Sequence, residues 1–384
     1  MIDDMILGLQ PPVGNRTRLA DWYADDTCLV AVSRPPYGDR AIQLLPYGLQ
    51  GLEGRELHLV VPPAAADPIR ARAALLDLPV LVHVARPDAP TEALENWHLD
   101  EALDWYRRLG DIEPLYSWDN SSWPVWLIQL IDWLESRRVE RVQTKAAYSW
   151  HYRGRQVLHL RVGKKSHKLI VGVNYRDPKG DQPSPFCLEV LVGDDPPPGA
   201  MDAARRALDE AIERRRVAAD DGHREHLLQA AIGTDPSLIG VAATFRELPA
   251  WRPKQQPRRG RGYVDFVATD IDRIGHVVET KIGPDAQLGV QVIDYWAWVE
   301  AHRTRIADQV GADPEQPFKL DVVLARSSKP LMHPAAAETL RALVAPIDWR
   351  VHVLENWDTI ERPNQLLMPD APAPLRPRQL PLSP

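Results

Sequence analysis

Between Tyr263 and Tyr295 the chain reads YVDFVATDIDRIGHVVETKIGPDAQLGVQVIDY. Two β-like runs, Tyr263–Thr269 and His276–Ile282, flank a polar turn, Asp270–Gly275. A helix-like run follows from about Asp285. Val277 and Val278 bury the second run around an acid, Glu279. Glu279 and Lys281 are two apart on one strand, so both side chains leave the same face. Asp265 sits on the partner strand, where hairpin pairing can bring its carboxylate next to Glu279. Two carboxylates and a lysine converging at a hairpin end make a divalent-metal site with a charged helper. Hard oxygen ligands suit Mg²⁺ or Mn²⁺. A lysine there can orient a water, or hold a phosphate and offset its charge.

Asp265 followed by Glu279-Thr280-Lys281 resembles the PD-(D/E)xK nuclease superfamily, in which a metal-binding Asp precedes an E-x-K. Gln291 and Tyr295 form the Q-x-x-x-Y of the RecB-like branch, and their i,i+4 spacing puts both on one helix face. Glu225, on a short helix expected over Gly222–Ile232, stands where many members carry a further acidic ligand. Leu320–Ala325 is an apolar run fit for the next buried strand. The resemblance covers about Gly222 to Ala325 and is nearest to the C-terminal domains of NucS-type and Shedu-type nucleases. Val264 stands where the family often has Pro.

The resemblance implies an α/β fold. A restriction-endonuclease-like mixed sheet flanked by helices forms the C-terminus, with a separate α+β N-terminal region. It implies an endonuclease that hydrolyses DNA phosphodiester bonds. Asp265, Glu279, the Thr280 carbonyl and Glu225 would hold Mg²⁺ (or Mn²⁺). Lys281 would position water and stabilise charge, and Gln291 and Tyr295 would orient the site. Antiphage restriction is the first setting and repair of mismatched or branched DNA the second. A different class is a binding or assembly module with a weak or inactive site. Cutting both strands needs two such sites, which favours a homo-oligomer.

At 384 residues the chain has room for two or three domains. Its 44% hydrophobic content supports real cores. The two cysteines, Cys28 and Cys187, fit a reducing cytoplasm and exclude a disulfide scaffold or a Cys-type zinc site. The acidic start MIDDMILG carries no signal-peptide pattern, and no apolar run approaches membrane-spanning length.

Residues 1–140 form an acidic, Trp-rich region for sensing or interaction. The first 120 residues hold ten Lys and Arg against nineteen Asp and Glu. Leu57–Val61, Asp67–Leu76 and Leu78–Ala85 read strand–helix–strand, without a phosphate-binding glycine pattern. Thr91–Leu109 reads as a helix with Thr91 at its N-cap. Ser122–Arg138 is apolar nearly all round, a buried or interfacial helix in which Trp126 and Trp133 serve packing.

Residues 141–195 form a basic β-rich segment. Arg141–Arg176 contains nine Lys and Arg and no acid. Gln156–Val162 and Lys168–Val173 read as a hairpin with Lys164 and Lys165 at its tip. Tyr148, Trp150 and Tyr152 interleave with Arg153 and Arg155. Cations with aromatics are the footprint of a nucleic-acid surface. The alternatives are a solvated sheet face with edge lysines, or a patch docking on the acidic segment.

Pro196-Pro197-Pro198-Gly199 is the linker candidate, which opens the nuclease domain at 196–362. In it, Arg252, Lys254, Arg258, Arg259 and Arg261 fall in a Pro- and Gly-containing loop leading into the strand of Asp265. That loop is placed to grip a phosphate backbone. The proline-rich tail, 363–384, is expected to lie outside the fold.

Overall fold

The computed structural model describes residues 19–34, 41, 43–50, 52, 54–86, 89–112, 120–121, 123–137, 139–144, 147–153, 155–172, 186–217, 224–253, 259–325, 331–355, 357 and 378–379. It is a mixed α/β structure with three sheets. The first sheet follows the chain order of its strands, β1 (Ala20–Ala24), β2 (Cys28–Ser33), β3 (Glu56–Val61), β4 (Val80–Arg86) and β5 (Ala89–Ala93). Its inner pairs β2–β3 and β3–β4 are parallel and its outer pairs antiparallel. Helices α1 (Leu44–Gln50) and α2 (Pro63–Ala73) make the crossovers.

Helix α3 (Leu99–Leu109) begins later than its sequence suggests. The His98 N–H donates to the Glu101 carboxylate at 2.8 Å, so the helix starts there and not at Thr91. Thr91 instead lies in β5, an edge strand that tolerates Pro90.

The second sheet is an antiparallel meander, β6 (Glu140–Thr144), β7 (Ala147–Tyr152), β8 (Arg155–Val162), β9 (Ser166–Val171) and β10 (Phe186–Leu191). It shares one core with α4 (Val125–Glu135) and α5 (Ala200–Val217). Ala204, Leu208 and Ala211 of α5 bury with Trp126, Leu127, Leu160 and Leu169. The Pro196–Gly199 segment therefore joins elements of one core and does not separate domains. Helix α6 (Arg224–Thr234) follows.

The third sheet runs β11 (Ala243–Pro253), β12 (Arg259–Thr269), β13 (Gly275–Lys281), β14 (Lys319–Ala325), β15 (Trp349–Leu354) and β16 (Arg378–Gln379). Helices α7 (Leu288–Ala301), α8 (Arg303–Val310) and α9 (Pro334–Arg341) accompany it. The β13–β14 and β14–β15 pairs are parallel and the rest antiparallel. The basic segment around 250–262 is largely the end of the β11–β12 ladder, which pairs Trp251 with Arg261 and Pro253 with Arg259. The tail adds Arg378–Gln379 to the sheet edge.

The chain divides into two compact units. One comprises Met1–Ile112, Ile239–Leu354 and Pro377–Pro384, and the other Glu113–Leu238 and Glu355–Arg376. This differs from the sequence boundaries at 140 and 196, because the first and third sheets belong to one body. Bridges between Leu76 and Leu343, from Asp77 N–H to the Ala342 carbonyl, and from Val344 N–H to the Leu75 carbonyl stitch that body together.

On the face of the third sheet that carries His276 and Val278, Asp321 is fully buried. His276 Nδ1 lies 2.5 Å and His352 Nε2 2.8 Å from its oxygens, and Arg350 Nε donates at 3.0 Å. Desolvation alone would raise the Asp321 carboxyl, but the bonds to His276 and His352 outweigh it and hold it well below the usual carboxylate range. Its folded value is depressed, so its stabilisation is complete above the unfolded value of 3.8 and is lost as pH falls through the folded one. Asp321→Asn is expected to cost about 3–5 kcal/mol at pH 7. Urea denaturation of parent and variant should show the gap shrinking below pH ~4.

Candidate active site

The turn that joins β12 to β13 is built by one side chain. Asp270 Oδ1 accepts the N–H groups of Asp272 and Ile274, each at 2.9 Å. Burial pushes the Asp270 carboxyl up, and the bonds from Ile274 and His276 bring it down further than that, to a net lowered value. From this turn the strands pair from Thr269↔Gly275 to Phe266↔Val278. Asp265 and Glu279 are the next residue on each strand.

At that point the ladder changes partner. The Thr280 N–H donates to Asp265 Oδ2 at 2.8 Å, and the Thr280 hydroxyl donates to the same oxygen at 2.5 Å. A side-chain carboxylate thus takes the place of a backbone carbonyl. Beyond it β12 stays paired with β11, and β13 stays paired with β14 through Lys281↔Leu324. The two carboxylates sit where the strands part.

Glu279 is 2% exposed, and the Gln291 carboxamide of α7 donates to its Oε1. Lys281 is partly exposed, with its ammonium 3.6 Å from Asp285. Tyr295 is buried on α7 one turn from Gln291. The structure therefore bonds Thr280 to Asp265 and Gln291 to Glu279, sets the two acids next to each other in the strand register, and puts Lys281 on the strand of Glu279. Among the described residues no three His, Cys, Asp or Glu side chains are grouped to hold a metal ion. Two carboxylates and the Thr280 carbonyl remain a fitting oxygen set for Mg²⁺, which keeps several waters and takes few protein ligands. Glu225 lies in the first turn of α6, in the second unit.

The expected nucleic-acid residues fare unevenly. Lys164 and Lys165 are exposed at the β8–β9 tip, which closes through Gly163 N–H to the Ser166 carbonyl. Arg153 and Arg155 are half-buried, and Arg153 donates to the Arg216 carbonyl at 2.9 Å near the end of α5. Trp150 is fully buried, and Tyr148 and Tyr152 pack against the same core. Trp150 is a core residue and no stacking platform, while Tyr148 and Tyr152 stay partly exposed. Arg252, Arg259 and Arg261 lie in β11 and β12, while Lys254 and Arg258 fall outside the described residues.

Asp294 escaped the sequence reading. It is buried on α7 and bound by Arg72 and Tyr106. An acid on the run LGVQVIDYWAWVEA, apolar on most faces, is the signal that was available.

No family model and no curated protein matches the chain. Among solved structures the chain is similar to a repair endonuclease from Pyrococcus abyssi at 13% identity, over 60% of this chain and 96% of that one, with a TM-score of 0.19. At that TM-score the likeness carries no argument. Among the described residues no helix is long and apolar enough to cross a membrane.

Thr280→Val keeps the shape and strand preference of a fully buried residue and removes the hydroxyl that holds Asp265. Loss of a hydrogen bond to a charged group is expected to lower stability by about 1.5–3 kcal/mol. Urea denaturation checks it, and an unchanged midpoint would show that other groups hold Asp265.

Proposed function

We propose that this chain is a Mg²⁺- or Mn²⁺-dependent endonuclease that hydrolyses DNA phosphodiester bonds, as the PD-(D/E)xK resemblance implies. The observation that carries the reading is the parting of β12 and β13 at Asp265 and Glu279, with Thr280 and Gln291 bonded to them. Asp265, Glu279 and the Thr280 carbonyl would hold the ion. Bound there, a divalent cation supplies Lewis-acid polarisation of a phosphoryl oxygen. Thr280 fixes the rotamer of Asp265, and Gln291 fixes that of Glu279. Lys281, two residues along the same strand, brings a cation for the attacking water or for charge developing on the phosphate. Its ion pair with Asp285 keeps the ammonium near the fork until a phosphate competes for it.

The basic positions at the end of the β11–β12 ladder, Arg252, Arg259 and Arg261, lead into the strand of Asp265 and suit contact with a phosphate backbone. Lys164 and Lys165 are exposed cations of the second unit that suit the same task. The cellular setting we propose is defence against foreign DNA, which rests on the resemblance to Shedu-type domains alone. Repair of mismatched or branched DNA is the second setting, and a homo-oligomer would place two sites on a duplex.

Plasmid, linear, single-stranded and mismatch-bearing DNA, each with Mg²⁺ or Mn²⁺, test the reading. Cutting by the parent is expected to vanish in Asp265→Ala. It should fall on the order of 10²–10³-fold in Lys281→Ala, the usual loss for one transition-state donor. Binding in a gel-shift assay should persist in both variants, since it rests on the basic surfaces. Equal cutting by all three proteins would sink the assignment. A preference for mismatched substrate would move the setting to repair.

A further inference from the structure

Asp294 is 1% exposed, and three donors converge on it. Arg72 Nε reaches Oδ1 at 2.9 Å and Arg72 Nη2 reaches Oδ2 at 2.7 Å. The Tyr106 hydroxyl donates to Oδ1 at 2.7 Å. Arg72 is 3% exposed and Tyr106 fully buried, on α2 and α3 of the N-terminal sheet region. Arg107 of α3 also donates to the Ala301 carbonyl at the last turn of α7, at 3.0 Å. The first 112 residues thus hold α7 at its middle and its end.

A buried ion pair is a poor choice for stability alone. Desolvation cancels much of the attraction, and apolar side chains of the same volume often hold two elements as well. What the guanidinium fork adds is direction, since both N–H groups must meet both oxygens in one plane. That direction matters because of what α7 carries three residues earlier. Gln291 bonds Glu279, and this contact depends on the rotation of the helix about its axis. A turn of about 20° moves a side-chain tip ~5 Å from that axis by roughly 1.7 Å, enough to break a hydrogen bond.

We infer that Asp294 is a positioning residue, clamped by Arg72 and Tyr106, that sets the azimuth of α7 and through Gln291 the orientation of Glu279. The N-terminal sheet region is then part of the active site's framework. This rests on the reading of Asp265 and Glu279 as a metal-holding pair and extends it.

The test uses the full chain, Tyr106→Phe, and the double variant Arg72→Met with Asp294→Leu. Three quantities are read: thermal unfolding, the side-chain amide resonances of Gln291, and Mn²⁺ affinity by electron paramagnetic resonance. The double variant should still unfold cooperatively. Its Gln291 amide should lose the downfield shift of a proton bonded to a carboxylate, and Mn²⁺ should bind about 10-fold more weakly, the lower end for loss of an outer partner of a metal ligand. Tyr106→Phe should move both readouts the same way by less. A folded double variant whose Gln291 resonances and Mn²⁺ affinity match the parent overturns the inference and leaves a latch. Should the double variant fail to fold, Tyr106→Phe decides by the same two readouts. A parent that binds no Mn²⁺ sinks the metal reading, while the Gln291 resonances still decide the positioning.

Discussion

Strand β12 is shared by two partners of unequal reach. It pairs with β11 along nearly its whole length and with β13 only from Thr269↔Gly275 to Phe266↔Val278. Once β13 leaves, its backbone needs new partners, because a buried unpaired N–H costs about as much as a lost hydrogen bond. The Asp265 carboxylate supplies one for Thr280, while β14 goes on pairing the opposite edge of β13. The parting is thus paid for by a side chain, and the same step brings an acid to the end of the hairpin. The parting of the strands and the placing of Asp265 at the hairpin end have one structural cause.

A fork of this kind must be held from both sides, since β13 has given up one neighbour. Asp321 sits on one side, held by His276, His352 and Arg350, and fastens β13, β14 and β15 to one another. Helix α7 lies on the Glu279 side and is fixed by Trp296 Nε1 to the Phe318 carbonyl, by Gln291 to Glu279 and by Asp294 to Arg72. Gly289 lets that helix close on α9, where a Cβ would fall 2.6 Å from Thr339 Cβ. Each side uses a buried carboxylate with more than one donor. This is the arrangement that makes a buried charge tolerable and its orientation unique.

The local part of this was legible in the sequence. The β12–β13 hairpin, α7, β14 and β15 follow from alternation, an Asp–Gly-bounded turn and apolar runs, all signals carried by adjacent residues. The carboxylate pair was legible for the same reason, since E-x-K fixes a face and the hairpin fixes the partner. Strand β11 was not, because Pro249 and Pro253 read as breakers and only its edge position admits them. Trp150 of β7 was misread because alternation says which residues share a face and not which face is covered. α4 and α5 cover the side of Trp150, leaving it in the core. The Arg72–Asp294 bond joins residues 222 apart, beyond any local pattern.

Contiguity also hid the domain plan. The chain leaves the first unit near Ile112 and re-enters near Ile239, so a boundary drawn between neighbouring stretches cannot find a unit built from both. The consequence is energetic as well as topological. A fragment beginning at residue 196 would keep Asp294 and lose Arg72 and Tyr106. It would also strip α2 and α3 from the helix that bears Gln291, exposing a face whose residues are nearly all buried. A fragment bounded by the motif alone would therefore contain Asp265, Glu279 and Gln291 and lack Arg72 and Tyr106, which hold α7.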